Sequence, residues 1–129
     1  MDRIEKLKEY LKTNNKDSFL QHALALEYIK VGNDAEAKNL FNEILRREPT
    51  YIGSYYHLAR LLERIGDEEK AIRIYERGME EAKKAGDDHS YNELYTCFCE
   101  FRIVIRESYF CRCIRRFAYT NKYLHLMFF

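Results

Sequence analysis

Apolar side chains recur at intervals of three and four along most of the chain. Leu20, Leu24, Tyr28 and Val31 form one such row, and Ala37, Leu40, Phe41, Ile44 and Leu45 form the next. A 3.6-residue period places each row on one face of an amphipathic helix. The break between the two rows is chemically explicit. Gly32 can take the left-handed conformation that ends a helix, and Asn33 can cap the helix that follows, with Glu36 three residues on in the position of a capping box. Pro49 has no amide hydrogen to continue that second helix, so the chain must leave it and restart near Tyr51.

The pattern is then repeated. Leu24 and Leu58, Ala25 and Ala59, Gly32 and Gly66, Ala37 and Ala71, and Phe41 and Tyr75 are each separated by 34 residues. Two units of paired helices follow, 18–51 and 52–85, the last helix of the second running to about Ala85. Neither unit can bury its apolar face alone, because each packs only against its neighbours. The flanks supply cover. Ile4, Leu7, Tyr10 and Leu11 share a stripe in a half-repeat over 2–15, and Asp87 and Asp88 can cap a helix over 88–101 carrying Tyr91, Leu94, Tyr95 and Phe98. Six helices are expected in all.

A doubled 34-residue unit of this kind resembles the tetratricopeptide repeat family. The first unit carries the resemblance at Leu24, Ala25, Tyr28, Gly32, Ala37, Phe41 and Pro49, and the second at Tyr55, Leu58, Ala59, Gly66, Ala71 and Tyr75. Gln21, Leu62, Gly78 and Lys83 depart from it, standing where the family often has a large aromatic, a tyrosine, an alanine and a proline. The resemblance implies an all-α, right-handed solenoid of antiparallel helix pairs over residues 1–101, the first helix of each pair lining a concave groove. It also implies which residues face that groove: Phe19, His22, Leu26 and Ile29, then Tyr56, Arg60, Glu63 and Arg64, and finally Tyr91 and Leu94. Such a groove suits a non-catalytic module that binds a protein or an extended or helical peptide, held by one or two apolar anchors and a carboxylate near Arg60 and Arg64. The subclass that clamps a terminal carboxylate uses Lys and Asn at positions where this chain has His22, Leu26 and His57, which argues against that partner class.

Charge changes the picture only at the end of the chain. Lys plus Arg (22) nearly balances Asp plus Glu (21), so the whole chain has no basic excess to draw a nucleic acid. Residues 97–129, however, hold 6 basic and 2 acidic residues, a balance of +4, which leaves 16 against 19, or −3, for residues 1–96. Catalytic chemistry finds no constellation. His22, His57, His89 and His125 are scattered, with no phosphate loop or His-Glu metal helix beside them, so no enzyme activity, cofactor or small-molecule substrate is expected. The charged amino terminus is not a secretory signal and no apolar run approaches the length of a membrane span, which points to the cytoplasm and to Cys97, Cys99, Cys111 and Cys113 as free thiols.

Residues 102–129 read as an atypical aromatic and basic tail. Residues 97–129 hold nine of the nineteen Phe and Tyr residues, and Phe101, Ile103 and Ile105 alternate with Arg102, Val104 and Arg106, a strand-like period of two. Three alternatives stay open for it. One is metal binding by the two Cys-x-Cys pairs, whose spacing is shorter than zinc sites use. Another is nucleic-acid binding through Arg102, Arg106, Arg112, Arg115 and Arg116. The third is structural: a fold-back cover on the last repeat, or a homo-oligomer formed through the tail. A non-native or frameshifted end would give the same abrupt change of style.

Overall fold

The computed structural model describes the backbone of residues 2–127 and the side chains of residues 2–110. Among the described residues there are six helices and no strand: α1 (Arg3–Thr13), α2 (Ser18–Lys30), α3 (Asp34–Arg47), α4 (Ile52–Ile65), α5 (Glu68–Ala85) and α6 (Asp88–Met127). The fold class is an all-α helical repeat solenoid. The chain divides into two units, Met1–Tyr95 and Thr96–Phe129.

Local chemistry sets the boundaries in the first unit. Gly32 and Gly66 take φ of 80° and 91°, the left-handed region that closes α2 and α4 at little steric cost. Asn33 accepts from the Glu36 amide at 3.5 Å and Asp67 from the Lys70 amide at 3.4 Å, capping α3 and α5. Asp87 does the same for α6, accepting from the Ser90 amide at 3.0 Å and the Ser90 hydroxyl at 2.6 Å.

Four of the five 34-residue pairs lie in the core. Ala25 and Ala59, Ala37 and Ala71, and Phe41 and Tyr75 are all 0% exposed, with Leu24 and Leu58 beside them. Small residues at these positions let paired helices approach, and the large rings fill the space between successive pairs. Two departures from the family pattern have structural reasons. Gln21 is buried and polar: its Oε1 accepts from Arg47 Nη2 at 2.7 Å and its Nε2 donates to the Asn15 carbonyl at 3.1 Å, so it fastens α2 to α3 and to the loop before it. A Cβ on Gly78 would lie 2.7 Å from Tyr55 Cβ and 3.1 Å from Leu94 Cδ1, so α5 has no room there for alanine. Tyr55 is fixed in turn, its hydroxyl donating to the Pro49 carbonyl at 2.7 Å.

The strand-like reading of Phe101 to Arg106 is corrected, since these residues are helical. No Gly or Pro after Gly86 interrupts the helix, and an isolated strand would leave its backbone groups unpaired. The helical row was present beneath the alternation. Leu94, Phe98 and Phe101 are buried and Ile105 is half-buried, at spacings of four, three and four, whereas Ile103 and Val104 are exposed. In the second unit Arg102 lies over the Phe98 ring at 5.5 Å. Cys97 and Cys99 are half-buried, and two helical residues of separation turn them about 200° apart, which does not suit one shared ion. The side chains of Cys111, Cys113, Arg112, Arg115 and Arg116 lie outside the described residues.

Candidate functional site

The α2 row begins at an exposed aromatic side chain. Phe19 is 70% exposed, and His22, Leu26 and Ile29 continue the row half-buried at spacings of three, four and three. On α4, Tyr56 and Glu63 are half-buried while Arg60 and Arg64 are exposed; on α6, Tyr91 is half-buried and stacks on Tyr95 at 6.2 Å with 8° between the rings. Leu94 does not belong with them. It is 1% exposed and packs near Gly78, so it is a core residue of the folded chain and corrects the groove-facing expectation.

An aromatic cluster joins α2 to α4. The His22 Nδ1 and Ser54 Oγ atoms share a hydrogen bond of 2.9 Å, and the His22 ring lies 5.2 Å from His57, 5.4 Å from Tyr51 and 5.5 Å from Phe41. His57 stacks nearly parallel to Phe41 at 6.2 Å and receives Tyr56 edge-on at 5.2 Å. Burial disfavours the imidazolium, and the neighbouring His57 adds to this, so the His22 pKa falls from 6.5 to about 4. Burial lowers His57 too, although Glu93 on α6 pulls it the other way. Both rings are therefore neutral at pH 7. Ser54 is 0% exposed, which makes the serine and histidine contact a packing bond rather than an accessible nucleophile.

The basic end of the surface is already partnered. Arg60 Nη1 lies 3.3 Å from Glu63, and Arg64 is paired with Asp34 at the start of α3. Glu63 also accepts a hydrogen bond from the Tyr75 hydroxyl. Desolvation by itself would lower the Arg60 pKa, yet Glu63 and Tyr75 raise it above the usual value, so the guanidinium stays charged. A carboxylate arriving here would have to displace or share these partners.

Ser54 is absent from the expected surface, and His57 stands in it only as a departure from the carboxylate clamp, yet both are central to its geometry. The 34-residue period hides them, because His22 meets residues 32 and 35 positions further on rather than its repeat equivalent, Tyr56. Among the described residues no group of three or more His, Cys, Asp or Glu side chains is arranged to hold a metal ion. Nor is any helix among them long and apolar enough to cross a membrane.

The helix pairs, their glycine closures and the 34-residue core agree with the sequence model of the tetratricopeptide repeat family, which matches residues 28–95. The chain belongs to this family. A tetratricopeptide repeat domain protein from Salinibacter ruber, solved as a crystal structure, is 36% identical with a TM-score of 0.64, covering 67% of this chain and 96% of that one. A protein from Bordetella parapertussis is 22% identical with a TM-score of 0.70, covering 79% of this chain and 89% of that one. The TPR2B domain of yeast Sti1, solved as a complex with pHsp70, is 14% identical with a TM-score of 0.71, covering 77% and 79%. The last two are likenesses of fold. No curated protein sequence matches the chain. The tetratricopeptide fold is in general a protein–protein interaction module, and its members are typically non-enzymatic scaffolds.

Proposed function

We propose that this protein is a non-catalytic interaction module that takes a peptide or partner helix along the α2 and α4 surface. The observation that carries the reading is exposed Phe19 at the head of a partly open row on α2. Phe19 stands largely in solvent at the head of a stripe that continues through His22, Leu26 and Ile29, and an apolar row of this kind fits the anchors of a helix or extended segment. At the other end, exposed Arg60 and Arg64 offer charge-assisted contacts to a carboxylate in exchange for Glu63 and Asp34. The Sti1 domain solved with pHsp70 supports the reading only through its shared fold, as an example that this architecture is found in complexes. A cytoplasmic setting accords with such a role.

Immobilised protein tests the proposal when the proteins it retains from a lysate are compared between variants. Phe19→Ser and the Arg60→Ala, Arg64→Ala double variant should each lose the same retained protein, with unchanged helicity by circular dichroism. Glu76→Ala, at an exposed position on α5, should keep it. Equal retention by all three would move the site elsewhere.

A second reading rests on the second unit, where Ile103, Val104, Tyr109 and Phe110 are between 53% and 66% exposed. Apolar exposure at this density favours association of α6 with a second copy. Sedimentation would then report a dimer or larger species for the full chain and a monomer for residues 1–101.

A further inference from the structure

Between α3 and α5 lies a cleft of ≈ 490 Å³ that the α2 and α4 reading leaves unused. Lys38 lines it from α3, and Lys70, Arg73 and Arg77 line it from α5, with Leu62 and Ile74 as its apolar lining. No carboxylate is among its lining residues. The three α5 cations are spaced by three and four, which puts them in one row along the cleft.

Two of the four cations are held in ion pairs and two are not. Lys70 Nζ lies 3.1 Å from Asp67, and Arg73 is paired with Glu69. Lys38 and Arg77 have no carboxylate within ion-pair distance among the described residues. Both cations line the cleft beside apolar Leu62 and Ile74 without an ion pair to hold them, which leaves them available to an arriving carboxylate.

We infer that the α3 and α5 cleft is a second binding site, for an acidic peptide segment whose carboxylates engage Lys38 and Arg77. The Arg77 guanidinium can hold one carboxylate through two parallel hydrogen bonds, and Lys38 serves as a point charge for another. Leu62 and Ile74 offer contact to the aliphatic stems of the same side chains or to an apolar neighbour. A nucleic acid suits the cleft less well. A phosphate backbone, charged about every 1.7 Å of duplex, would run past the four cations onto the flanking Asp67 and Glu69, whereas a short acidic segment need not. This site shares no residue with the α2 and α4 surface, so either can fail alone.

Fluorescence anisotropy on the full chain tests the inference with three labelled probes: a hexapeptide of alternating Glu and Leu, its Gln and Leu counterpart, and a single-stranded oligonucleotide. The acidic peptide should bind, more weakly as salt is raised, and the Gln peptide should not. Lys38→Glu with Arg77→Glu should weaken binding by about tenfold or more, and Lys38→Gln with Arg77→Gln by a smaller factor, while Arg60→Ala with Arg64→Ala leaves it unchanged. Should the Glu variant lose its helix signal, the Gln variant decides the matter. Absence of acidic-peptide binding, equal affinity in a folded charge variant, or tighter binding of the oligonucleotide would each overturn the inference.

Discussion

His22 is where sequence, packing and solution behaviour meet in one side chain. Its ring is held neutral by burial and by His57, with a pKa of about 4 in the folded chain against 6.5 when unfolded. The unfolded chain therefore takes up a proton first as the pH falls. Stability contributed by the neutral ring is fully present above pH 6.5 and is lost progressively down to about pH 4, where the folded form also protonates. Because the ring is only half-buried, solvent screening trims the effect to about 1 to 2 kcal/mol. Asp67 and Asp87, whose pKa values are lowered by hydrogen bonds to Lys70 and to Ser90, add stability that is present above the ordinary carboxylate value and is lost as the pH falls through and below it, beneath most of the histidine window. Urea denaturation at a series of pH values should show stability falling between pH 6.5 and 4, and His22→Gln should flatten that slope. An unchanged slope in the variant would assign the acid sensitivity to other groups.

At the level of elements, α5 is held to α4 by a contact that only glycine permits. Gly78→Ala would gain about 1 kcal/mol of helix propensity, yet its Cβ would fall 2.7 Å from Tyr55 Cβ, an atom fixed to the backbone rather than the end of a flexible chain. Overpacking of this kind costs about 1 to 3 kcal/mol, so the variant should melt several degrees lower. A higher melting temperature would mean that the helices separate freely and propensity wins. The same elements show what the sequence made legible. Helix existence, the ends at Gly32 and Gly66, the cap at Asn33 and the core pairs all follow from local rules and one period, and all are found. Contacts between non-equivalent positions of successive repeats do not follow, because they depend on how one pair of helices is rotated against the next; this is why the meeting of His22 with Ser54 and His57 is not legible in the 34-residue period. Leu94 was misplaced for the same reason: its register on α6 turns it to the core. Beyond Phe98 a six-residue alternation masked a helical row, since a short run satisfies both periods at once.

For the whole molecule, the division of labour between repeats and tail is the remaining proposal. Residues 1–101 should fold without the rest, because the half-repeat, the two full repeats and the start of α6 contain the 34-residue core. A chain ending at residue 101 should keep a cooperative thermal transition and gain solubility with the loss of exposed Ile103, Val104, Tyr109 and Phe110. A molten or aggregated product would make the later part of α6 integral to the fold.

The central claim, that a partner lies along α2 and α4, is tested most directly by a photo-crosslinking amino acid placed at Phe19 in one variant and at Glu76 in another. Both positions are exposed, so both report contact without disturbing the core. Irradiation in a cell extract should give a discrete adduct from position 19, lost on Arg60→Ala with Arg64→Ala, and none from position 76. An adduct from position 76 alone, or equal adducts from both that survive the double substitution, would contradict the account.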